Sequence, residues 1–161
     1  DIYGSGPLEA PLAARIGALG LSDRVRMHGA LDFHTGWIPT LRDRADLFLC
    51  CHPQGDPSST YIEVMSCGVP IVGYDNEAFR GILAHSDAGW HTPIHDIEAI
   101  AGQIARLHGA REQIAEAARR ARSFASRHVF ETTFANRTAH MIRNSRLPEP
   151  LRHAALAQAG P

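Results

Sequence analysis

Two apolar runs constrain this chain more than anything else in it. Residues 45–51, Ala-Asp-Leu-Phe-Leu-Cys-Cys, and 69–72, Val-Pro-Ile-Val, carry almost no polar residues. A strand with one face in water alternates apolar and polar residues, so runs of this kind mark strands covered on both faces. Between them lie a turn-rich loop and a short helical pattern. Parallel strands need such a crossover, because a tight hairpin joins only antiparallel ones.

The rest of the chain repeats the alternation. Ile2-Tyr3 leads through Gly4-Ser5-Gly6-Pro7 into apolar positions Leu8, Leu12, Ile16 and Leu19, a helical spacing that Gly20 closes, with Pro11 in the first turn. Residues 24–28 alternate like a half-exposed strand, and a helical stretch covers about 37–44. A short helix over 76–85 and a strand over 89–92 follow, and then Asp96 caps a helix marked by Ile97, Ile100, Ile104 and Leu107. From Arg111 the pattern is helical, first to about Ala125 and then around Phe130, Phe134, Met141 and Ile142. The expected fold class is α/β, a Rossmann-like parallel sheet with helices on both faces. Residues 1–147 read as this domain, incomplete at its start because a strand opens at Asp1 with no lead-in. Residues 148–161 read as a polar, alanine-rich tail, disordered or docked elsewhere.

Composition narrows the function. The 161 residues are 44% apolar and 20% charged, an ordinary globular balance. No run approaches the roughly 20 apolar residues of a membrane span, and no signal-peptide pattern opens the chain, so the expected location is the cytoplasm. Cys50, Cys51 and Cys67 are an odd number in apolar surroundings, which suits reduced core thiols. Residues 1–110 hold seven arginines against thirteen acids, and 111–161 hold nine against four. The basic end reads as solvated helix faces, with an anionic membrane surface or partner domain as the functional alternative. No aromatic residues alternate with the arginines, so nucleic acid is not an expected partner.

In open parallel sheets ligands bind beyond the carboxyl ends of the strands. Gly4 and Gly6 lie at one such end, where missing side chains let the backbone approach a ligand. The second place is the stretch His-Pro-Gln-Gly-Asp-Pro-Ser-Ser-Thr-Tyr-Ile-Glu, 52–63. A helix opening at Ser58, Ser59 and Thr60 presents backbone N–H groups and the positive end of its dipole, an anion site suited to phosphate. Glu63, one turn further in, would accept hydrogen bonds from a vicinal diol such as a nucleotide ribose. The competing reading is local: Thr60-Tyr61-Ile62-Glu63 matches a capping box, with Glu63 reaching back to the cap amide. The ten histidines form no helical metal-binding pair. His52, beside the proposed site, is the one to watch.

The stretches YGSGP, LSDRVRMHGAL, RADLFLCCHPQ and YIEVMSCGVPIVGY, with the glycine of DAGW, resemble in order and spacing the C-terminal, donor-binding domain of GT-B glycosyltransferases, family 4 in particular. Glu63 to Pro70 is the most diagnostic part, being similar to the family's E-A-M-A-C-G-x-P. The resemblance implies that Glu63 binds the donor ribose, that Ser59 and Thr60 stand where backbone amides meet the diphosphate, and that the turn of Gly29, Ala30 and Leu31 lies where the base docks. It also implies transfer of a hexose from a nucleoside diphosphate sugar to a hydroxyl acceptor, with retention, no metal or other cofactor, and a partner N-terminal acceptor domain. The sequence departs from the family at Gly55, where a first glutamate would contact the donor sugar; Asp56 is the neighbouring substitute. A non-catalytic binding or interaction module, or an epimerase of this architecture, is the alternative.

Overall fold

The computed structural model describes residues 1–55 and 59–158. The chain divides into two compact units, Asp1–Ala45 and Asp46–Pro161. The boundary falls inside the span that sequence reads as one domain.

In the first unit, the strand signals at 2–3 and 24–28 condense to one parallel bridge between Ile2 and Met27. Ile2 N donates to Arg26 O at 2.8 Å and His28 N to Ile2 O at 2.9 Å. Helix α1, Glu9–Ala18, carries Pro11 in its first turn, where no helical N–H bond is lost. The helical signal near Trp37 begins earlier than its periodicity indicates. A π-helical turn, Phe33–Trp37, runs straight into α2, Ile38–Arg44. Asp32 caps it, its Oδ1 accepting from Thr35 N at 2.8 Å and from Thr35 Oγ1 at 2.6 Å. These two bonds hold the Asp32 carboxyl below the usual carboxylate range.

The second unit is built on three parallel strands, β1 (Phe48–Cys50), β2 (Ile71–Tyr74) and β3 (Gly89–Thr92), in the order β1-β2-β3. All four residues of β2 are buried, as the apolar run requires of a central strand. The strand starts after Pro70, which has no N–H to give to a ladder but whose carbonyl accepts from Phe48 N at 3.0 Å.

The crossovers are α3 (Ser59–Ser66) and α4 (Glu77–Ser86), and α5 (Ile97–His108), α6 (Arg111–Ala125) and α7 (Phe130–Arg143) complete the helical pattern read from sequence. Alternation along β2 assigns its faces. Val72 and Tyr74 pack with Ile100, Leu107 and Ile114 from α5 and α6. Gly73 faces the other way, toward Phe79 of α4 and Cys50 of β1. The sheet is therefore covered by helices on both faces. Asp96 caps α5 as expected, accepting from Ala99 N at 2.8 Å. Helix α6 lies against α3 with Ala117 and Ala121 fully buried, so small side chains bring the two helices close.

The tail is different from the sequence reading. Residues 149–158 form α8, Glu149–Gln158, in contact with α7. Pro150 falls in its first turn and three alanines follow within the next seven residues, and both favour a helix over an unstructured tail.

Candidate functional site

The loops that leave β1 and β2 meet at the carboxyl edge of the sheet, and one buried side chain holds them together. Asn76, 2% exposed, is the cap of α4. Its Oδ1 accepts from Phe79 N at 2.8 Å, while its Nδ2 donates to His52 O at 2.9 Å and to the Tyr61 hydroxyl at 3.2 Å. The hydroxyl also meets Cys50 Sγ at 3.3 Å, and the Tyr61 ring stacks on Phe79 at 5.5 Å. Strand β1, its exit loop, α3 and α4 are thus fixed to one another through polar groups that are all paired. A buried network of this kind specifies one geometry, because leaving any member unpaired is costly.

Helix α3 turns Tyr61, Val64 and Met65 inward. Ser59 and Thr60 are its first two residues, so Thr60 lies within the helix and does not cap it. The capping box expected as the local alternative does not form: the Glu63 carboxylate makes no hydrogen bond or ion pair with any described residue. The Glu63 carbonyl accepts from the Ser66 hydroxyl at 2.7 Å and from Cys67 N at 3.3 Å. The carboxylate is half-buried beside the helix start. Asp56 and Ser58, named from sequence for this site, lie outside the described residues.

Gly55 is described and lies against α4. A Cβ there would stand 3.1 Å from Glu77 Cβ and 3.6 Å from Glu77 N. The next acid along the edge, Asp75, is engaged. Arg80 donates from Nε to Oδ1 at 2.8 Å and from Nη2 to Oδ2 at 2.9 Å, which holds the Asp75 carboxyl below its usual range. His52, watched for its ring, contributes its carbonyl to the network instead. Among the described residues, no group of three His, Cys, Asp or Glu side chains is placed to share a metal ion.

The first unit gathers its own named residues. Gly4 N donates to Gly29 O at 2.7 Å, which joins the two glycine turns that sequence marks separately. Their φ angles, 130° and 71°, belong to glycine, and no atom lies within 4 Å of where either Cβ would be. The result is a patch of open backbone. Gly6 is exposed nearby in sequence, and Leu31 is half-buried under the π-helical turn, its Cβ 3.1 Å from where a Cβ on Gly36 would stand. Tyr3 stacks on His28 at 4.8 Å, and His28 Nε2 meets Asp1 at 2.6 Å.

Sequence reasoning missed Asn76 and Glu77. The signal was present: an asparagine directly after a buried strand and before a helical pattern is a cap.

Comparison with known proteins places the chain. Residues 1–124 match the family described as "Glycosyl transferases group 1". The amylovoran biosynthesis glycosyltransferase AmsK of Erwinia amylovora is 30% identical over 112 residues, covering 66% of this chain and 27% of that protein. An exopolysaccharide phosphotransferase of Streptomyces coelicolor is 32% identical over 111 residues, covering 67% and 11%. This chain therefore spans about a quarter of one relative and a ninth of the other. Among solved structures, HepE of Anabaena, determined in complex with UDP-glucose, superposes with a TM-score of 0.73 at 23% identity, over 89% of this chain and 40% of its own. Sucrose-phosphate synthase of Thermosynechococcus elongatus gives 0.68 at 18%, over 87% and 36%. At such identities these two speak for the fold, a parallel sheet flanked by helices as in GT-B glycosyltransferases. With a family match that covers most of its length, the chain belongs to the group 1 glycosyl transferases.

Proposed function

We propose that this chain is the donor-binding part of a glycosyltransferase and takes a nucleoside diphosphate sugar at the carboxyl edge of its parallel sheet. The observation that carries the reading is the Glu63 carboxylate on the first turns of α3, which makes no hydrogen bond or ion pair with any described residue. The helix start offers N–H donors and a positive dipole to the diphosphate, and Glu63 accepts hydrogen bonds from the two ribose hydroxyls. As the glycosidic bond breaks, negative charge grows on the departing diphosphate, so the same helix end stabilises the transition state more than the ground state. For the first unit we propose that the turn from Gly29 to Leu31 offers its backbone to the base, and that Gly4 and Gly6 keep side chains out of its way.

In the whole protein the sugar passes to a hydroxyl acceptor bound by a further domain, a hexose with retention if the family 4 resemblance extends that far. The reading requires no metal or other cofactor. It places the protein in the cytoplasm, with the basic helices from Arg111 onward facing an anionic membrane surface if it works at the inner leaflet. The lack of a carboxylate at Gly55 favours one second reading, a module of the same fold that binds the nucleotide sugar without turning it over.

Titration of the chain with UDP, GDP, ADP and their sugar conjugates tests this. At least one should bind. Glu63→Ala should weaken that ligand on the order of tenfold to a hundredfold, the worth of one or two hydrogen bonds to a charged group, with an unchanged circular dichroism spectrum. Binding that survives the substitution would overturn the assignment of Glu63.

A further inference from the structure

Gly55 and Glu77 share one space. A Cβ on Gly55 would come within 3.1 Å of Glu77 Cβ, closer than side chains ordinarily approach, so the backbone at 55 packs directly on the start of α4. Glu77 is fixed from the other side by its neighbour Asn76, whose side chain caps α4 and holds both His52 O and the Tyr61 hydroxyl. The first residue of α4 is therefore positioned by the loop after β1 and by α3 together. Its side chain is exposed, and its carboxylate makes no hydrogen bond or ion pair with any described residue. Its charge is felt by Arg80, but that guanidinium is already committed to Asp75. Of the acids Glu63, Asp75 and Glu77 along this edge, only Asp75 pairs with a described residue; Glu63 and Glu77, on different crossover helices, have no such partner among the described residues.

A nucleoside diphosphate sugar carries two separated sets of hydroxyls, one on each side of its diphosphate. If Glu63 takes the ribose, the hexose must find its acceptor groups on another element. The element that the loop touches at Gly55 is α4. We infer that Glu77 is the specificity-determining carboxylate for the sugar of the donor, accepting hydrogen bonds from its hydroxyls and doing from α4 what a glutamate at position 55 would do from the loop. This inference rests on the donor-binding function proposed above, and Asp56 is its rival for the same role.

Calorimetric titration of the 161-residue chain with UDP, GDP, ADP, UDP-glucose, GDP-mannose and ADP-glucose separates the two. In Glu77→Gln the bare diphosphate that binds should keep its Kd within about twofold, while its sugar conjugate weakens by about tenfold, the loss of one charge-assisted hydrogen bond. Glu77→Asp should recover part of the loss, and the exchange Gly55→Glu with Glu77→Gly should restore sugar binding with the carboxylate presented from the loop. An unchanged ratio of the two constants in Glu77→Gln would overturn the inference. So would an equal loss for diphosphate and conjugate, or a tenfold loss confined to Asp56→Asn. A wild-type chain that binds none of the six ligands would overturn the proposed function itself.

Discussion

The buried side chain of Asn76 donates to the hydroxyl of Tyr61 at 3.2 Å, and through that bond the start of α4 is tied to the first turn of α3. Several groups assigned to donor binding in the second unit lie close to one of these two residues. Thr60 directly precedes Tyr61 and Glu63 follows it by two residues, Glu77 follows Asn76, and Gly55 packs on Glu77.

Removing either end of this bond should loosen the site before it unfolds the chain. Asn76→Ala loses a helix cap, worth about 1 kcal/mol, the part-buried bond to His52 O and the buried bond to the Tyr61 hydroxyl, so the total cost should be about 2–4 kcal/mol. Asn76→Asp keeps the acceptor for Phe79 N and loses both donated bonds. Urea denaturation should rank the two variants below the wild type, and both should bind nucleotide more weakly at temperatures where they are folded. Full binding in folded Asn76→Ala would show that the network serves stability alone.

Much of this was legible in the sequence, for physical reasons that can be named. The continuous apolar runs at 45–51 and 69–72 have no stable place except inside a covered sheet, so β1, β2 and their parallel crossover followed directly. Asp96 could be read as a cap because its role is settled within four residues. The alternation at 24–28 misled, since it needs a partner strand of equal length and finds only Ile2. Thr60 and Glu63 have the spacing of a capping box, the competing local reading, but α3 starts one residue before Thr60. The pairing of Gly4 with Gly29, and of Gly55 with Glu77, joins residues far apart in sequence, which no local pattern records.

Acid should act on this edge through Asp75. Arg80 holds its carboxyl below the usual carboxylate range, so the folded state binds the proton less readily than the unfolded chain. The pair's contribution is therefore present at pH values above the unfolded carboxylate's pKa, about 4, and disappears as pH falls through the depressed folded value. Asp75→Asn should lower the urea midpoint at pH 7, and the difference from wild type should shrink steadily below about pH 4. High salt should shrink it as well, since Arg80 is largely exposed. A difference that persists undiminished at low pH would assign the effect to packing.

The thiols should separate by environment. Cys50 and Cys67 are buried, whereas Cys51 is exposed at the end of β1. Partial burial and the adjacent Cys50 push the Cys51 thiol up from its ordinary value, so little of it is thiolate near neutrality. Under native conditions at pH 8, a disulfide reagent should modify one thiol per chain, more slowly than it modifies free cysteine, with a rate that climbs steeply as pH is raised. All three should react at once in denaturant. A fast single thiol at pH 7 would contradict the placement of Cys51.

Two glycine-to-alanine substitutions should have opposite signs, and together they locate the rigid part of the site. Gly81 lies inside α4 with no atom within 4 Å of where its Cβ would be. Alanine there removes backbone freedom from the unfolded chain and costs nothing in the helix, so Gly81→Ala should raise stability by about 0.5–1 kcal/mol. Gly73 lies in the central strand β2, where a Cβ would stand 2.7 Å from Cys50 O and 3.2 Å from Phe79 Cε1. Relief requires β1 to move away from β2, and β1 is the strand whose exit loop carries His52 and Gly55. Gly73→Ala should therefore cost about 3 kcal/mol, the upper range for overpacking a core, and should weaken nucleotide binding beyond what the loss of folded protein explains. Thermal denaturation and nucleotide titration of the two variants, measured side by side, check both signs. A neutral Gly73→Ala would mean that the strands can part without cost, and the crevice beyond them would then have no fixed geometry with which to read a donor.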